Sequence, residues 1–144
     1  MEKLYFKKLE VDAVTPTRGS EEAAGYDLYA ATAVEVAPGQ TVKIPTGISI
    51  ALPKNTFGAI FARSGLATKR GLAPANKVGV VDSDYRGPVI VALYNQSAEV
   101  QKIEKGERIA QLVVIPYMPV IFEEKEELDD TERGEGGFGS TGTK

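Results

Sequence analysis

Short runs of apolar or alternating residues, separated by turn-forming residues, most constrain the fold of this chain. The runs are rich in Val, Ile, Tyr and Phe, which favour extended backbone. Turn signals such as Pro38-Gly39, Pro45-Thr46-Gly47 and Arg86-Gly87-Pro88 lie between them. The predicted strands are Lys3–Leu9, Val34–Ala37, Thr41–Ile44, Ile48–Leu52, Gly58–Phe61, Val89–Tyr94 and Arg108–Pro116. This rhythm predicts an all-β fold of the sandwich, jelly-roll or barrel type.

Helix is predicted at two short places in this β-rich chain. Ser64 to Lys69 is predicted to form one or two turns, with Ser64 as the N-cap and Gly71 beyond the end. Glu21 to Ala24 is a second candidate. With 144 residues and 42% hydrophobic content, the chain is large enough for one core. We assign that core to residues 1–122.

Composition restricts the chemistry that the chain can perform. It contains no cysteine and no histidine. This excludes thiol nucleophiles, Ser-His and Cys-His dyads, disulfides and the usual zinc ligand sets. Catalysis would have to use carboxylates, Arg, Lys, hydroxyls and backbone groups, together with a hard cation held by oxygen.

The first ten residues alternate charged and apolar side chains without an uninterrupted apolar stretch. This pattern is typical neither of a signal peptide nor of a membrane span. We therefore expect a soluble, intracellular protein, in the cytoplasm, or in that of the host cell if the source is viral.

Charge is distributed unevenly along the chain, whose net charge is −3. Residues 123–132 carry seven acidic side chains against Lys125 alone, which predicts an extended acidic tether. Fully stretched, ten residues reach at most ~33 Å, enough to bring the following segment to a neighbouring subunit. A slightly positive body with an acidic tether favours a small anionic ligand over nucleic acid. The alternative is a solubilising charge run, and both readings are compatible.

The last segment, residues 133–144, combines Arg133, Phe138, Ser140 and Thr141 with five glycines. Glycine lets backbone N–H groups approach an anion, Arg adds a planar charged fork, and Phe offers a face for a flat ring. The composition is thus consistent with an arm that closes over a nucleotide. The alternative is a frayed, low-complexity terminus.

Two internal segments place isolated polar groups among small or apolar residues. Asp27 lies in Ala24-Gly-Tyr-Asp-Leu-Tyr-Ala-Ala31, where it needs an ionic partner or a cation, or else caps a turn. In Ala62-Arg-Ser-Gly-Leu-Ala67, Arg63, Ser64 and Gly65 either hold an anion at the start of the predicted helix or form a simple N-cap with a surface ion pair.

Two further segments carry candidate site residues. Asn76 to Gly87 contains Asp82 and Asp84, which share a face if the backbone is extended and separate if it turns at Gly79 or Ser83. One carboxylate there is a candidate general base, whereas the alternative is a hairpin with exposed acids. In Gly106 to Val113, Gln111 sits among apolar residues and either ties down backbone or holds a water or phosphate oxygen.

Together the segments resemble a known family. Read in order, they are AGYDLYAA, ARSGLA, NKVGVVDSDYRG, GERIAQL and RGEGGFGSTG, spanning Ala24 to Gly142. These are similar to the five motifs of the trimeric dUTP pyrophosphatases (dUTPases). The resemblance implies a jelly-roll-like β subunit, a homotrimer with sites at subunit contacts, and a C-terminal arm that closes over a neighbour's site.

The resemblance also implies a reaction. dUTP would be hydrolysed to dUMP and pyrophosphate with Mg²⁺ on the triphosphate, which limits uracil incorporation into DNA and supplies dUMP for dTMP synthesis. Asp82 would be the general base, and Asp82, Gln111 and Arg133 would be the catalytic residues. No nucleic-acid or membrane partner is implied.

The remaining roles follow the motifs. Asn76 and the backbone of Val80, Val81 and Asp82 would bind uracil, with Tyr85 under the deoxyribose. Arg63, Ser64, Gly65 and Gln111 would hold the phosphates, and Asp27 would contact the metal through water. Arg133 would bind the γ-phosphate, Phe138 would cover the uracil, and the segment Gly139, Ser140 and Thr141 would wrap the phosphates.

One departure and two alternative functions remain. Glu135 places an acid beside the arm arginine, where neutral residues are common in the family, and we expect it to point to solvent. A dCTP deaminase shares the architecture and is the alternative enzyme. A β-domain whose Arg-Gly-rich tail binds nucleic acid is the non-enzymatic alternative.

Overall fold

The computed structural model describes all 144 residues, which form eleven strands and one short helix. The order of strands and helix along the chain shows no repeating unit. They are β1 Tyr5–Lys8, β2 Tyr26–Tyr29, β3 Val34–Val36, β4 Thr41–Pro45, β5 Ile48–Ala51, β6 Thr56–Phe61, α1 Ser64–Arg70, β7 Leu72–Pro74, β8 Gly79–Val81, β9 Ile90–Asn95, β10 Gln101–Ile103 and β11 Arg108–Pro116. The predicted all-β fold is confirmed.

All seven predicted strands are present, with boundaries that differ by at most two residues, and β11 has the predicted bounds. The sequence prediction missed four strands of three or four residues, β2, β7, β8 and β10. Runs this short hold too few residues to show alternation, so their pairing depends on tertiary context.

The strands form four antiparallel sheets, none of which closes on itself. The largest has the order β2-β11-β6-β8, and the next has the order β4-β9-β7. Two-stranded sheets pair β1 with β5 and β3 with β10. In the large sheet, Gln111 of β11 faces Asp27 of β2 on one edge and Phe61 of β6 on the other.

A single core of 19 buried residues lies between these sheets. Every strand except β1 contributes to it, and β11 contributes three of its members, Ile109, Ala110 and Leu112. Leu66 is the one residue of α1 in the core, so it fixes the helix against the sheets. Burying an aliphatic side chain of this size stabilises a fold by about 1.5–3 kcal/mol.

The helix corrects one detail of the prediction and confirms another. Its N-cap is Arg63 rather than Ser64, with extended backbone and no side-chain capping bond, so Ser64 is the first helical residue. Gly71 ends the helix with φ 67°, a left-handed conformation that glycine adopts without penalty. The predicted helix at Glu21 to Ala24 is wrong, because that segment forms turns.

Asn95 is a buried polar residue that joins three segments of the core. Its side chain is fully buried, and its Nδ2 donates to the carbonyl oxygens of Val36, at 2.9 Å, and Glu99, at 2.7 Å. Its Oδ1 accepts from the backbone N–H of Ser97, at 2.8 Å, and from the Ser97 hydroxyl, at 2.7 Å. Because every donor and acceptor is used, this amide fixes the turn after β9 against β3.

After β11 the chain contains no further strand or helix. The backbone N–H of Tyr117 donates to the Asn55 carbonyl, at 3.0 Å, and every later hydrogen bond joins residues within 131–142. None of the helices in this structure is both long and apolar enough to cross a membrane.

Replacing Asn95 with Ala is expected to lower the free energy of unfolding by about 3 kcal/mol, because the buried Val36 carbonyl and the part-buried Glu99 carbonyl lose their donor. Chemical denaturation of the purified variant measures this change. Gln96→Ala is the matched control, since that neighbouring side chain is exposed and makes no hydrogen bond, and it should shift stability by less than about 0.5 kcal/mol. Equal effects of the two variants would contradict the role assigned to Asn95.

Candidate active site

A cleft of about 240 Å³ opens along the outer side of β8, which is the edge strand of the large sheet. Five of the residues predicted to bind the base, the sugar or the attacking water line it together. They are Asn76, Val80, Val81, Asp82 and Tyr85. Because β8 pairs only with β6, the backbone N–H and C=O groups on its outer edge have no strand partner and are free to bind a planar ligand.

Turns on both sides of β8 shape this cleft. Before it, Lys77 adopts φ 67° and its N–H donates to the Pro74 carbonyl at 3.0 Å, which brings the exposed Asn76 beside the strand. After it, the Tyr85 N–H donates to the Asp82 carbonyl at 3.1 Å. The backbone therefore turns at Ser83, and Asp82 and Asp84 do not share the face of one extended strand.

The Asp27 carboxylate forms ion pairs with Arg63 and Arg108. Its Oδ1 lies 3.1 Å from Arg63 Nε and its Oδ2 lies 3.8 Å from Arg108 Nε, while its side chain is only 16% exposed. Tyr29 and, to a lesser degree, Asp27 raise the pKa of Arg108 above its ordinary value, so this guanidinium stays charged. Asp27 therefore orients two arginines toward one end of the large sheet.

Gln111 lies between Asp27 and the end of β6. Its Nε2 donates to the Ala62 carbonyl at 3.0 Å, so the amide fixes the backbone that leads into α1. A Cβ on Gly25 would overlap Gln111 Oε1 and lie 3.0 Å from Gln111 Cδ. Glycine at position 25 is thus required for Gln111 to occupy this place.

The first turn of α1 presents open backbone groups beside this arginine pair. Ser64 and Gly65 are exposed, and a Cβ on Gly65 would meet nothing within 4 Å. The Ser64 hydroxyl makes no capping bond. Arg63, Ser64 and Gly65 directly follow Ala62, whose carbonyl accepts from the Gln111 amide, so the four residues predicted to hold phosphate lie at the same end of β6.

The two groups of site residues lie at opposite ends of β6. Val81 pairs with Gly58, so Asp82 follows at the level of Phe57, whereas Gln111 pairs with Phe61. Four residues along a strand correspond to about 13 Å. One copy of the chain therefore does not bring Asp82 together with the group formed by Arg63 and Gln111.

The C-terminal arm makes only local contacts. Arg133 Nε donates to the Gly136 carbonyl at 2.8 Å, and backbone turns join Gly137 to Ser140 and Gly139 to Gly142. Phe138 is fully exposed and has φ 45°. The structure thus does not bring the predicted arm residues Arg133, Phe138, Gly139, Ser140 and Thr141 into contact with the cleft.

A larger apolar groove of about 390 Å³ lies beside β1. It is lined by residues such as Leu4, Phe6, Ile50 and Leu112, and it contains none of the predicted site residues. The predicted site residues therefore line the smaller of these two cavities and not the larger one.

Comparison with known proteins now decides the family. A family model described as dUTPase matches residues 12–142. The chain belongs to the dUTPase family. The deoxyuridine 5′-triphosphate nucleotidohydrolase of Desulfitobacterium hafniense is 53% identical to it over 130 residues, which cover 88% of this chain and 86% of that protein.

Solved dUTPases share the fold. A dUTPase of Staphylococcus bacteriophage 80alpha, solved with dUpNHpp, has a TM-score of 0.93 and 29% identity, and the match covers 99% of this chain and 100% of that one. A dUTPase from phage phi11 of S. aureus, solved with a structural Mg(II) ion, has a TM-score of 0.80 and 24% identity, and the match covers 88% of this chain and 98% of that one. At 24% identity this second likeness concerns the fold alone.

The residues of this dUTPase do not form a direct metal cage. The structure contains no group of three or more His, Cys, Asp or Glu residues that could hold an ion. Asp27 turns both carboxylate oxygens toward arginines. One oxygen donor of this kind fits a contact through water to a Mg²⁺ ion that arrives on phosphate oxygens, and does not fit direct coordination.

Sequence reasoning missed two residues of this site. Arg108 was not assigned a role, although a partly buried Asp27 requires a cation and Arg108 lies in the GERIAQL motif. Gly25 was not singled out because its function depends on the register between β2 and β11, which the sequence does not specify. Arg108 could have been found from the unpaired charge of Asp27, whereas nothing in the sequence pointed to Gly25.

Replacing Gly25 with Ala is expected to displace the Gln111 amide and to lower the free energy of unfolding by about 1–2 kcal/mol. A double-mutant cycle with Gln111→Ala, followed by denaturation, tests the contact, because most of the cost of Gly25→Ala should disappear when the long side chain is absent. Additive effects of the two substitutions would show that Gly25 and Gln111 act independently.

Proposed function

We propose that this dUTPase hydrolyses dUTP to dUMP and pyrophosphate with Asp82 as the general base. The observation that supports the proposal most directly is the cleft beside β8, where the exposed Asp82 carboxylate adjoins Asn76 and Tyr85. Family membership and the dUpNHpp complex of the phage relative support the substrate. The substrate belongs to the dissolved nucleotide pool, so we place the enzyme in the cytoplasm, without a nucleic-acid partner.

Uracil and deoxyribose occupy the cleft in this proposal. The free edge of β8, at Val80 and Val81, offers backbone donors and acceptors, and the Asn76 amide offers one of each. Tyr85 presents its ring to the sugar. A nucleobase that hydrogen-bonds to the backbone at a free sheet edge is recognised by its shape and its donors and acceptors. A peptide strand added to such an edge is recognised in the same way.

The triphosphate binds Arg63, Ser64, Gly65 and Gln111. Orphan N–H groups and a fixed guanidinium are suited to phosphate oxygens, which carry most of the charge in this reaction. When bound, Mg²⁺ supplies positive charge that neutralises the phosphate oxygens, and Asp27 would contact it through water.

The chemical step needs little from the protein beyond position and charge. Asp82 accepts a proton from a water molecule, whose oxygen forms a bond to the α-phosphorus. The bond from the α-phosphorus to the bridging oxygen breaks, and its electron pair leaves with pyrophosphate. Asp82 then releases the proton to solvent.

The separation along β6 supports sites shared between copies of the chain, which we propose form a homotrimer. Asp82 and the Arg63 group lie about 13 Å apart on one copy by strand geometry, and in this proposal a second copy supplies the phosphate-binding group. In a ring with closed rotational symmetry, each copy contributes its Asp82 group to one site and its Arg63 group to the next site. The acidic tether, residues 123–132, is long enough to carry the arm to a neighbouring site.

The arm closes the site in this proposal. Arg133 binds the γ-phosphate, Phe138 covers the uracil, and Gly139, Ser140 and Thr141 wrap the phosphates. Their exposure and purely local hydrogen bonds leave these groups free to bind a ligand. Closing such a segment excludes water and completes the site.

Pyrophosphate release measured with dUTP, dTTP, dCTP and UTP tests the proposed reaction. dUTP should be hydrolysed at least about 100-fold faster, in kcat/KM, than the others, because both base and sugar are selected. Asp82→Asn should lower kcat by about 100-fold or more while dUTP still binds, because the water loses its base.

Asp84→Asn is the matched control, since the turn at Ser83 directs Asp84 away from Asp82, and it should retain activity. Normal turnover by Asp82→Asn would remove Asp82 as the base. Release of ammonia from dCTP would indicate a deaminase, and salt-dependent binding to single strands without pyrophosphate release would indicate a nucleic-acid-binding domain.

Complementation tests the sharing of sites between copies. Asp82→Asn, Arg63→Ala and a chain that ends at Glu132 should each be badly impaired alone. Co-expression of Asp82→Asn with either of the other two should restore up to about a quarter of wild-type activity, because some sites then receive only intact residues. No recovery in isolated mixed trimers would place the whole site within one copy.

A further inference from the structure

The Tyr85 side chain is folded back onto the loop that follows it. Its hydroxyl donates to the Pro88 carbonyl at 2.8 Å, and its backbone N–H donates to the Asp82 carbonyl at 3.1 Å. The phenol hydroxyl is therefore engaged before any ligand arrives. What remains for a ligand is the ring itself, which lines the cleft and is 43% exposed.

Gly87 lies directly beneath this ring. A Cβ at position 87 would lie 2.6 Å from Tyr85 Cζ and 2.9 Å from Cε1, and it would overlap the hydroxyl oxygen as well. These distances are shorter than any that real Cβ atoms show, so a side chain there would force the ring away. The position of the ring thus depends on the absence of a side chain at Gly87.

The segment beneath the ring is itself fixed to the core. The Ser49 hydroxyl on β5 donates to the Gly87 carbonyl at 3.0 Å. The Val89 N–H donates to the Ile48 carbonyl at 2.9 Å, and the Val89 carbonyl accepts from the Thr46 hydroxyl at 2.7 Å. Val89 and Thr46 are each only 2% exposed. The loop carrying Tyr85 therefore rests on a rigid, buried platform.

Steric selection between two sugars requires such rigidity. A ring that could retreat would admit an extra hydroxyl at small cost, whereas a ring fixed from below excludes it. Discrimination by a pocket wall usually amounts to about 10–200-fold and depends on how little the wall moves. The platform under Tyr85 supplies this resistance from residues that do not touch the nucleotide.

We propose that Gly87 and Ser49 are positioning residues that set sugar selectivity by holding the Tyr85 ring where it excludes a 2′-hydroxyl. The inference rests on the proposed function, in which the sugar of dUTP packs against Tyr85. Gly87 acts by leaving room for the ring against the backbone. Ser49 acts by fixing the Gly87 carbonyl to β5.

The test compares kcat/KM for dUTP and UTP in four variants. Gly87→Ala should lower the dUTP/UTP ratio by about tenfold or more, mainly through a higher KM for dUTP and measurable hydrolysis of UTP. Ser49→Ala should lower the ratio about threefold with kcat for dUTP unchanged, and Ser49→Thr, which keeps a hydroxyl donor, should restore it. Gly19→Ala is the glycine control, since a Cβ there meets nothing within 4 Å.

The outcomes separate the inference from the proposed function. A wild-type protein that releases no pyrophosphate from dUTP would refute the function itself. An active wild type whose ratio is unchanged in both Gly87→Ala and Ser49→Ala would refute the inference alone. If Gly87→Ala does not fold, Ser49→Ala and Ser49→Thr decide the matter, because they change only a hydroxyl and a methyl group.

The NMR signals of the tyrosine rings, measured on isotope-labelled protein, report the position of the Tyr85 ring independently of activity. The signal assigned to Tyr85, by its loss in Tyr85→Phe, should shift in Gly87→Ala and stay unchanged in Gly19→Ala. An unchanged Tyr85 signal in Gly87→Ala would show that Gly87 does not position the ring.

Discussion

The pairing of β11 on both of its edges is the constraint on which the rest of the structure depends. This nine-residue strand places Ile109, Ala110 and Leu112 in the core while Gln111 reaches toward Ala62. A shift of one residue would exchange buried and polar positions along the whole strand, which the core does not permit. The register of β2 and β6 on either side is thereby fixed, and with it the place of Asp27, Arg63 and Asp82.

How well each strand could be predicted from the sequence depended on its length. Arg108 to Pro116 was predicted with its observed bounds because nine residues of sustained β-forming character leave little ambiguity. Gly79 to Val81 was missed as a strand because three residues carry no periodic signal, although its importance was evident from the motif around it. The all-β class and the nucleotide-binding segments were thus predictable, and the pairing of the shortest strands was not.

The spatial arrangement of the site was less predictable than its members. Motif order places Asp82 and Arg63 within twenty residues of each other, yet they lie at opposite ends of β6. Arg63 follows its last residue, Phe61, whereas Asp82 follows Val81, which pairs with Gly58 near its start. The contact of Tyr85 with Gly87 was also invisible, since glycine after a turn is common for reasons unrelated to a ring. Sequence identified residue types that suit the chemistry, whereas register and close packing decided which of them meet.

The ion pairs of Asp27 place two guanidinium groups before any ligand is present. Between Arg63 and Arg108 a single carboxylate leaves an excess of one positive charge, held in a fixed direction. Groups that are already oriented need little reorganisation when negative charge arrives, which is the condition for strong electrostatic stabilisation.

The pairing of β2 with β11 has a consequence for the time course of folding. It joins Asp27 to Gln111, so the central sheet brings together residues from the first and last quarters of the chain. Topologies dominated by such distant pairings fold slowly, since a long loop must close before the contacts form. During synthesis the earlier strands must wait with unpaired edges, which is when a β protein is most prone to aggregate. A nascent chain that ends before Arg108 has no native central sheet.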